Sequence, residues 1–487
     1  KLEDESVMGL EGTTRTIIEP ARRTPVAADV DVLVCGGGAA GLAAALAAAR
    51  TGASTLLVEL NGFLGGVATA ALVSEFGGQA GYDHMSGIAR EMADRMIAKG
   101  QATPGRFRTS FDPEGFKTTA VQMLREAQAQ MLFYTLITDA IVESGAVKGV
   151  IAENKSGRQA LLGRTVIDTT GDADVAARAG VPVVKGRESD GRMRPISLFF
   201  RVGNINVQEL LRFMTENPQQ FAPDPAKNIM DLDRDPPMVR PLGFFDLVRR
   251  AKENGDYPEE CHFLRLDNLD LARGIVTVNT TRVYDADGTV AEDLTRAYIR
   301  GQEQMETLAA FLKKYVPGFA NSYIVDVAPV LGVRETRRVR GDYLLTEDDI
   351  VGGMVFPDVI GVPGHRHTPG QPVHNPDGFE GAPNDEGHRR LIDDLWVYGI
   401  PFRSLLPAGV ENLLVAGRCI SATHEADGYT RVIPTCMITG QAAGTAGALS
   451  ALEGITPRQL DVAKLQANLA KQGVRLAMAA SPPPAVA

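Results

Sequence analysis

Cysteine is scarce in this 487-residue chain. There are four, at Cys35, Cys261, Cys419 and Cys436, and no CxxC pair among them. So few thiols, so widely spaced, exclude a disulfide framework and an iron–sulfur cluster, and they fit a reducing, cytoplasmic setting. Long apolar runs are also missing. None reaches the roughly 18–20 residues of a membrane span, and the alanine-rich stretch 39–49 is too short. Positive charge is not in excess either: 50 basic against 60 acidic side chains leave a formal charge of −10. That balance argues against nucleic acid or an anionic membrane as a partner and in favour of a small molecule. The first residue is Lys1 rather than methionine, as a trimmed leader or tag would leave it. No internal repeat is present.

With 44% hydrophobic and 23% charged residues, the chain has the composition of a soluble globular protein. Its length favours two or three domains. Residues 1–26 are charged, contain proline and read as an arm. Val30–Cys35 is a short β-branched run that ends in Gly36-Gly37-Gly38. Ala39–Thr51 reads as a helix with Gly52 at its C-terminal cap, and Ser54–Glu59 as the next buried strand. Together these make one βαβ unit with a parallel strand pair. Further on, 118–133 reads as a helix. Ile137–Ser144, Val147–Asn154 and Gln159–Leu162 read as an antiparallel meander, followed by a buried strand at Arg164–Asp168. Helices are expected near 206–216 and 292–315, and a long Pro/Gly-rich loop over 357–389. A last buried strand is expected at Asn412–Ala416, followed by a helix of small residues from Pro434.

Gly36, Gly38 and Gly41 form GxGxxG. The pattern alone is weak. Here it follows a strand, opens a helix, and is answered 18 residues after Gly41 by Glu59 at the end of the next strand. Gly36 permits the tight turn, Gly38 lets the backbone approach a pyrophosphate, and Gly41 lets helix and strand pack closely. The helix N-terminus faces the phosphates, and Glu59 accepts from the ribose hydroxyls. A glutamate there suits NAD or FAD. The second glycine pair, Gly65-Gly66, directly after the ribose acid, gives room for a longer cofactor and favours FAD.

These blocks resemble the FAD-dependent oxidoreductases of the glutathione-reductase-like flavoprotein superfamily, with a distant likeness to fumarate reductase flavoprotein subunits. The resemblance rests on DVLVCGGGAAGLAAALAAARTGASTLLVELNGFLGG, VIDTTGDADVAARAG, LGVRETRRVRGDYLLTEDDI and IPFRSLLPAGVENLLVAGRCISATHEADGYTRVIPTCMITGQAAG, spread over the start, middle and end of the chain. It implies that Gly36, Gly38, Ala39, Ala40, Gly41, Glu59 and Leu60 hold the ADP half. Gly65, Gly66 and Thr69 then lie near the ribityl chain and ring, and Ala140 beside the adenine. Thr170, Gly171 and Asp172 match a second, shorter fingerprint. Gly417 and Arg418 approach the pyrophosphate and ribityl, and the amides around Thr435, Cys436 and Met437 face the flavin N1/C2=O edge. The histidine that carries covalent flavin in fumarate reductase relatives is missing before Gly65-Gly66, so non-covalent FAD is expected.

Flavin chemistry on an organic substrate calls for a proton-moving group and a cation to hold developing charge. His424, Tyr429 and Arg431 lie in what reads as a loop between the last strand and the flavin-facing helix. Arg334 is the arginine of LGVRETRRVRG most suited to point into a site, while Arg338 and Arg340 read as salt-bridged or solvated. His365, His367 and His374 in the Pro/Gly-rich loop read as surface residues, and no metal site is expected. A disulfide reductase is excluded, because residues 60–75 hold no cysteine pair.

The reading is therefore an α/β fold. A discontinuous Rossmann-like FAD-binding domain with a β-meander covers 27–185 and 400–455. An inserted α+β substrate or cap domain covers 186–399, and a C-terminal helix and tail cover 456–487. The expected activity is that of an FAD-dependent dehydrogenase or oxidase, passing a hydride between a small organic substrate and flavin N5. The electron acceptor (oxygen or a redox partner) is open, and homo-oligomerisation is compatible with the sequence. The alternatives are an electron-transfer flavoprotein subunit of a larger complex and a non-catalytic FAD-binding sensor.

Overall fold

The β-branched run ahead of the glycines forms strand β1 (Val26–Cys35), whose last four residues are buried in the computed structural model. The structure describes residues 16–78, 81–105, 108–222, 229–233, 238–365 and 396–477. Helix α1 (Ala39–Arg50) opens directly after the glycine turn and stops at Gly52, which takes φ +101° as a helix-ending glycine should. Strand β2 (Thr55–Val58) pairs parallel with β1 and completes the βαβ unit.

Helix α2 (Pro113–Glu126) starts earlier than the sequence suggests. Pro113 occupies its first turn, and the Asp112 carboxylate accepts from the Glu114 and Gly115 amides. It also ends earlier. Gln128 turns to φ +60°, and Gln130–Leu132 become strand β3, parallel to β2. Met131 and Leu132 continue the apolar periodicity of the helix, but the edge of the sheet claims them, a tertiary override of local preference.

Strands β4 (Leu136–Glu143), β5 (Ala146–Asn154) and β6 (Gly157–Asp168) form the expected antiparallel meander. The sequence divides β6 into two strands, whereas the molecule has one of 12 residues. Its first half pairs with β5, and it also runs parallel beside β1. Gly163 sits at the change-over, where a Cβ would lie 2.8 Å from the Leu33 Cβ.

A second, five-stranded sheet is wholly antiparallel. Its strands are β7 (Phe200–Gly203), β8 (Leu242–Gly243), β9 (Leu264–Asp270), β10 (Ile275–Val278) and β11 (Tyr323–Val327), in the order β8-β9-β10-β7-β11. Helix α3 (Ala291–Tyr315) packs Met305, Leu308, Phe311 and Leu312 into the core of this sheet, which is separate from that of the first. Of the segment read as a loop over 357–389, Val359–Gly361 pairs with Ile400–Pro401, and Gly364–His365 with Trp396–Val397. Residues 366–389, with His367 and His374, lie outside the described residues.

The chain then returns to the first sheet. Strand β12 (Leu413–Val415) lies parallel to β6, giving the order β3-β2-β1-β6-β5-β4 with β12 also on β6. A short helix α4 (His424–Thr430) leads into α5 (Ile433–Glu453), which is buried along nearly its whole length. A Cβ at Gly440 would lie 2.0 Å from the Ala40 carbonyl oxygen, and one at Gly444 2.1 Å from that of Ala44. The same four-residue step in both helices means that α1 and α5 run parallel, backbone against backbone. The fold is thus α/β and Rossmann-like, with its parallel sheet assembled from both ends of the chain.

Gly444→Ala is expected to lower stability by about 1–3 kcal/mol through overpacking. Gly447→Ala should cost much less, because its nearest neighbours are the Thr165 Cγ2 and Ile167 Cδ1 side-chain tips at 3.2 and 3.3 Å. Urea unfolding of the two variants measures the difference, and equal midpoints would contradict the backbone contact.

Candidate cofactor cleft and its charged wall

The glycines of the first turn serve different purposes. At Gly36 the backbone has φ +106°, and a Cβ would lie 2.5 Å from the Thr169 carbonyl oxygen; at Gly41 it would lie 1.7 Å from the Gly36 oxygen. Both are required by the protein's own packing. Gly38 is not: the nearest atom to its Cβ position is the Gly66 Cα at 3.9 Å. Its missing side chain leaves open space above the start of α1. Gly65 donates its N–H to the Gly37 carbonyl at 2.9 Å, and the second glycine turn therefore rests on the first. Thr69 closes that turn by donating from Oγ1 to the Leu64 carbonyl at 2.6 Å.

Glu59 is buried at the end of β2, accepting from the Gly37 amide at 2.6 Å and from the Asn61 amide and side chain at 2.7 Å. Next to it Leu60 is exposed, an unusual setting for a leucine beside a buried acid. The Thr135 amide donates to the Glu59 carbonyl at 3.0 Å, which brings the start of β4 against the acid. Ala140 lies further along β4, opposite Val150. Sequence reasoning overlooked Tyr134. It adopts φ +53°, donates its N–H to the Asn61 carbonyl and holds its ring hydroxyl 2.1 Å from where a Gly62 Cβ would be.

Because α1 and α5 are parallel neighbours, their N-termini lie side by side. A Cβ at Gly417 would stand 3.1 Å from the Ala40 Cβ and 4.0 Å from the Cys436 Sγ, and Ala39, Ala40, Thr435, Cys436 and Met437 are all buried around that point. Neither helix has a side-chain cap or an acidic residue in its first turn. Two positive helix ends therefore converge with no carboxylate of their own to answer them. The Cys436 thiol is no substitute, since burial pushes it up to about 12 and keeps it neutral.

Thr170, Gly171 and Asp172 are brought to the same region by the end of β6. Asp172 Oδ1 accepts from Arg418 at 2.9 Å and from the Thr336 hydroxyl at 2.7 Å. The Arg418 Nη1 is buried and finds no acceptor among the described residues.

His424, Tyr429 and Arg431 do not lie in a loop. His424 opens α4, Tyr429 is within it, and Arg431 caps its end. The Thr423 hydroxyl accepts from the Ala426 amide and caps the helix that the loop reading passed over. His424 Nδ1 lies 2.9 Å from Glu335 Oε1, while its Nε2 is buried with no partner among the described residues. Arg194 Nη1 reaches Glu335 at 3.1 Å and Asp427 at 3.0 Å, and Arg338 pairs with Glu335. Burial pushes the Glu335 carboxyl up, but the His424 hydrogen bond and the Arg194 and Arg338 charges hold it at about 2. Asp427 is raised by burial, and burial together with Arg194 lowers Arg431 to about 10. The Tyr429 hydroxyl donates to Glu347 at 3.1 Å and is raised by burial and by that carboxylate. Arg334 turns elsewhere, donating to the Pro195 carbonyl at 2.5 Å and to Ser197 Oγ at 2.9 Å.

Arg194, Glu335 and Asp427 are the members of this cluster that the sequence reading missed. A glutamate set among Arg334, Arg337 and Arg338 was the available signal. Glu335→Gln should leave two buried guanidinium groups short of a counter-charge and cost about 3–5 kcal/mol at neutral pH. The Glu335 carboxyl titrates lower in the folded state than its usual value of 4.5, so its contribution is full above that pH and is lost as pH falls towards 2. Unfolding at several pH values should show the gap between wild type and variant closing below about pH 4.5; a gap of constant size would refute the pairing.

A family model described as FAD dependent oxidoreductase matches residues 31–469. The tRNA uridine 5-carboxymethylaminomethyl modification enzyme MnmG of Geobacter sulfurreducens is 35% identical over 155 residues, 29% of this chain and 24% of that protein. The enzyme of the same name from Geotalea uraniireducens is 34% identical over 153 residues, with the same shares. The chain thus spans about a quarter of the length of the curated relatives it matches. Among solved structures, Aquifex aeolicus GidA is 16% identical with a TM-score of 0.41, over 92% of this chain and 68% of that one. A geranylgeranyl bacteriochlorophyll reductase-like protein from Thermoplasma acidophilum is 13% identical with a TM-score of 0.43, over 91% and 83%. Among the described residues no helix is long and apolar enough to cross a membrane. With a family match running from β1 to beyond α5, the chain belongs to the FAD dependent oxidoreductase family; it is an enzyme, and FAD is its cofactor.

Proposed function

We propose that this protein transfers a hydride between a small organic substrate and the N5 atom of a non-covalently held FAD, in the manner of the glutathione-reductase-like flavoproteins. The observation that carries the reading is the convergence of two helix N-termini on Gly38 and Gly417, neither of which has a side-chain cap or an acidic residue in its first turn. The residues fit the cofactor at three further points: the open space above Gly38, the buried carboxylate of Glu59, and the unanswered Nη1 of Arg418.

In this reading Gly36, Gly38, Ala39, Ala40 and Gly41 receive the diphosphate at the start of α1. Glu59 has acceptor capacity left for the ribose hydroxyls, and Leu60 and Ala140 border the adenine. Gly65, Gly66 and Thr69 flank the ribityl chain and ring. Thr170, Gly171, Asp172, Gly417 and Arg418 close over the middle of the cofactor. The amides at Thr435, Cys436 and Met437 supply positive potential to the flavin edge. FAD, when bound, supplies two-electron redox chemistry.

The chain's own part is to bind, orient and move a proton. His424 is held by Glu335 at Nδ1, which leaves Nε2 as the ring atom for proton exchange. The Tyr429 hydroxyl, raised as it is, stays protonated and acts as a donor. Arg431 supplies positive charge to a substrate oxygen. The inserted segment 186–399 is the substrate side. Nucleic acid is not part of the reading, given the charge of −10 and the short stretch shared with the tRNA-modifying relatives.

Purified protein should carry flavin absorption bands and release FAD on denaturation. Anaerobic addition of alcohols, amines and enones should include at least one compound that bleaches those bands. Protein without flavin would sink the cofactor assignment, and flavin that no compound bleaches would sink the hydride-transfer reading. Arg418→Ala should weaken FAD binding roughly ten- to a hundredfold, the scale of a hydrogen bond to a charged group, as read by FAD retention on dilution.

A further inference from the structure

Helix α4 and its C-terminal cap carry three polar atoms that the protein leaves unanswered. His424 Nε2, Asp427 Oδ1 and Arg431 Nε are each buried and make no hydrogen bond among the described residues. Their residues stand at positions i, i+3 and i+7, so the three side chains leave the helix on one face. A single polar atom left without a partner in the interior is costly, and three along one face mark a place built for a ligand.

This face adjoins the residues assigned above to the flavin edge. The Arg431 carbonyl accepts from the Cys436 thiol at 3.2 Å, and the Cys436 sulfur lies 4.0 Å from the Cβ position of Gly417. Arg431 is also the open end of the row. Its side chain is 13% exposed, whereas those of His424 and Asp427 are 1% exposed. A ligand that enters past Arg431 therefore meets the acid and the imidazole behind it.

The three atoms differ in what they ask for. Glu335, held ionised at about 2, accepts from His424, so the ring hydrogen sits on Nδ1 and Nε2 offers a lone pair. Asp427 Oδ2 accepts from Arg194 at 3.0 Å, and Oδ1 is a second, unused acceptor. Arg431 Nε is a donor. A carboxylate would satisfy the arginine only by standing against Asp427, and an ammonium would offer Arg431 no acceptor. A carbonyl accepts but cannot donate, which leaves both acceptors bare. A hydroxyl does both. Because one hydroxyl has one hydrogen to give, two acceptors call for two hydroxyls.

We propose that this face of α4 recognises an uncharged molecule with two neighbouring hydroxyls, one donating to His424 Nε2 and the other to Asp427 Oδ1, while Arg431 Nε donates to one of their oxygens. Polyols and carbohydrates have this chemistry. The assignment rests on the hydride-transfer reading above, and the hydroxyl on His424 is the one oxidised. Its O–H bond breaks and the proton passes to Nε2. The hydrogen on the same carbon leaves with its electron pair for FAD, and the alcohol becomes a carbonyl. The hydroxyl on Asp427 is held and not consumed.

Binding is read by calorimetry on anaerobic holoprotein reduced with dithionite, in which an alcohol binds without being oxidised. The probes are the two isomers of 1,2-cyclohexanediol, cyclohexanol and cyclohexanecarboxylate. At least one diol should bind saturably, with cyclohexanol and the carboxylate weaker by tenfold or more. Asp427→Asn should cut the preference for the diol over cyclohexanol at least fivefold. That change also weakens the pairing of Arg194, so Arg431→Gln gives a second reading. It leaves Asp427 with Arg194, and it should weaken both alcohols at least fivefold with flavin content unchanged. No binding of either diol, equal binding of diol and cyclohexanol, tighter binding of the carboxylate, or variants that change neither preference nor affinity would overturn the proposal. A diol that binds the reduced protein as expected but never bleaches the oxidised flavin would count against the hydride-transfer reading and leave the recognition of the diol standing, which separates the two failures.

Discussion

Everything in the cofactor half depends on the contact between α1 and α5. Two parallel helices touch backbone to backbone through Gly440 and Gly444, and α5 is buried almost end to end as a result. Side-by-side parallel helices place their positive ends together, an arrangement that repels itself in the absence of an anion. The small residues of α5 are therefore more than a packing convenience. They set the separation of two helix ends and so create a concentration of positive potential that an anion would relieve. Small side chains at 39–48 of α1 and along α5 are what this geometry demands, and the sequence supplies them on both sides.

Across the site the electrostatics are reversed. The wall formed by Arg194, Glu335, Arg338, His424, Asp427 and Arg431 supplies its own counter-ions. Its arginines and carboxylates come from three distant stretches of the chain. Arg194 precedes the second sheet, Glu335 follows it, and α4 belongs to the returning strand–helix segment. The cluster thus clamps both chain crossings of the second unit to the helix that leads into α5. Removing either buried carboxylate, Glu335 or Asp427, leaves buried arginines short of counter-charge, so the arrangement resists loss of its acids. A histidine held inside such a cluster has one tautomer favoured by its neighbour, as Glu335 does for His424.

The sequence was most readable where one local pattern carries one physical demand. The βαβ unit, the meander and the return of the last strand to the first sheet each had such a pattern, and all formed. Failures came where the demand was tertiary. Met131 and Leu132 look helical and become a strand, because β2 needs an outer partner. The stretch at 423–431 looks like a loop because its capping signal is short, yet Thr423 starts a helix there. Glu335 could have been noticed as the acid among arginines, but its partners Arg194 and His424 stand 141 and 89 positions away, and no spacing rule spans such gaps.

The three glycines of GxGxxG show how structure refines a motif. Read as letters they are equivalent; read by what a Cβ would meet, they divide. Gly36 and Gly41 collide with the protein's own backbone, and any β-α turn packed this closely would need them whether or not it bound anything. Only Gly38 is free of such collisions, so only Gly38 carries information about a ligand. The same distinction applies at Gly65 and Gly66. Gly66 meets the backbone of Gly38 and so aligns the second turn on the first, extending the open surface instead of closing it. A glycine motif marks a binding site to the extent that the space it leaves is not filled by the protein itself, and here that space lies at the meeting point of the two helix ends.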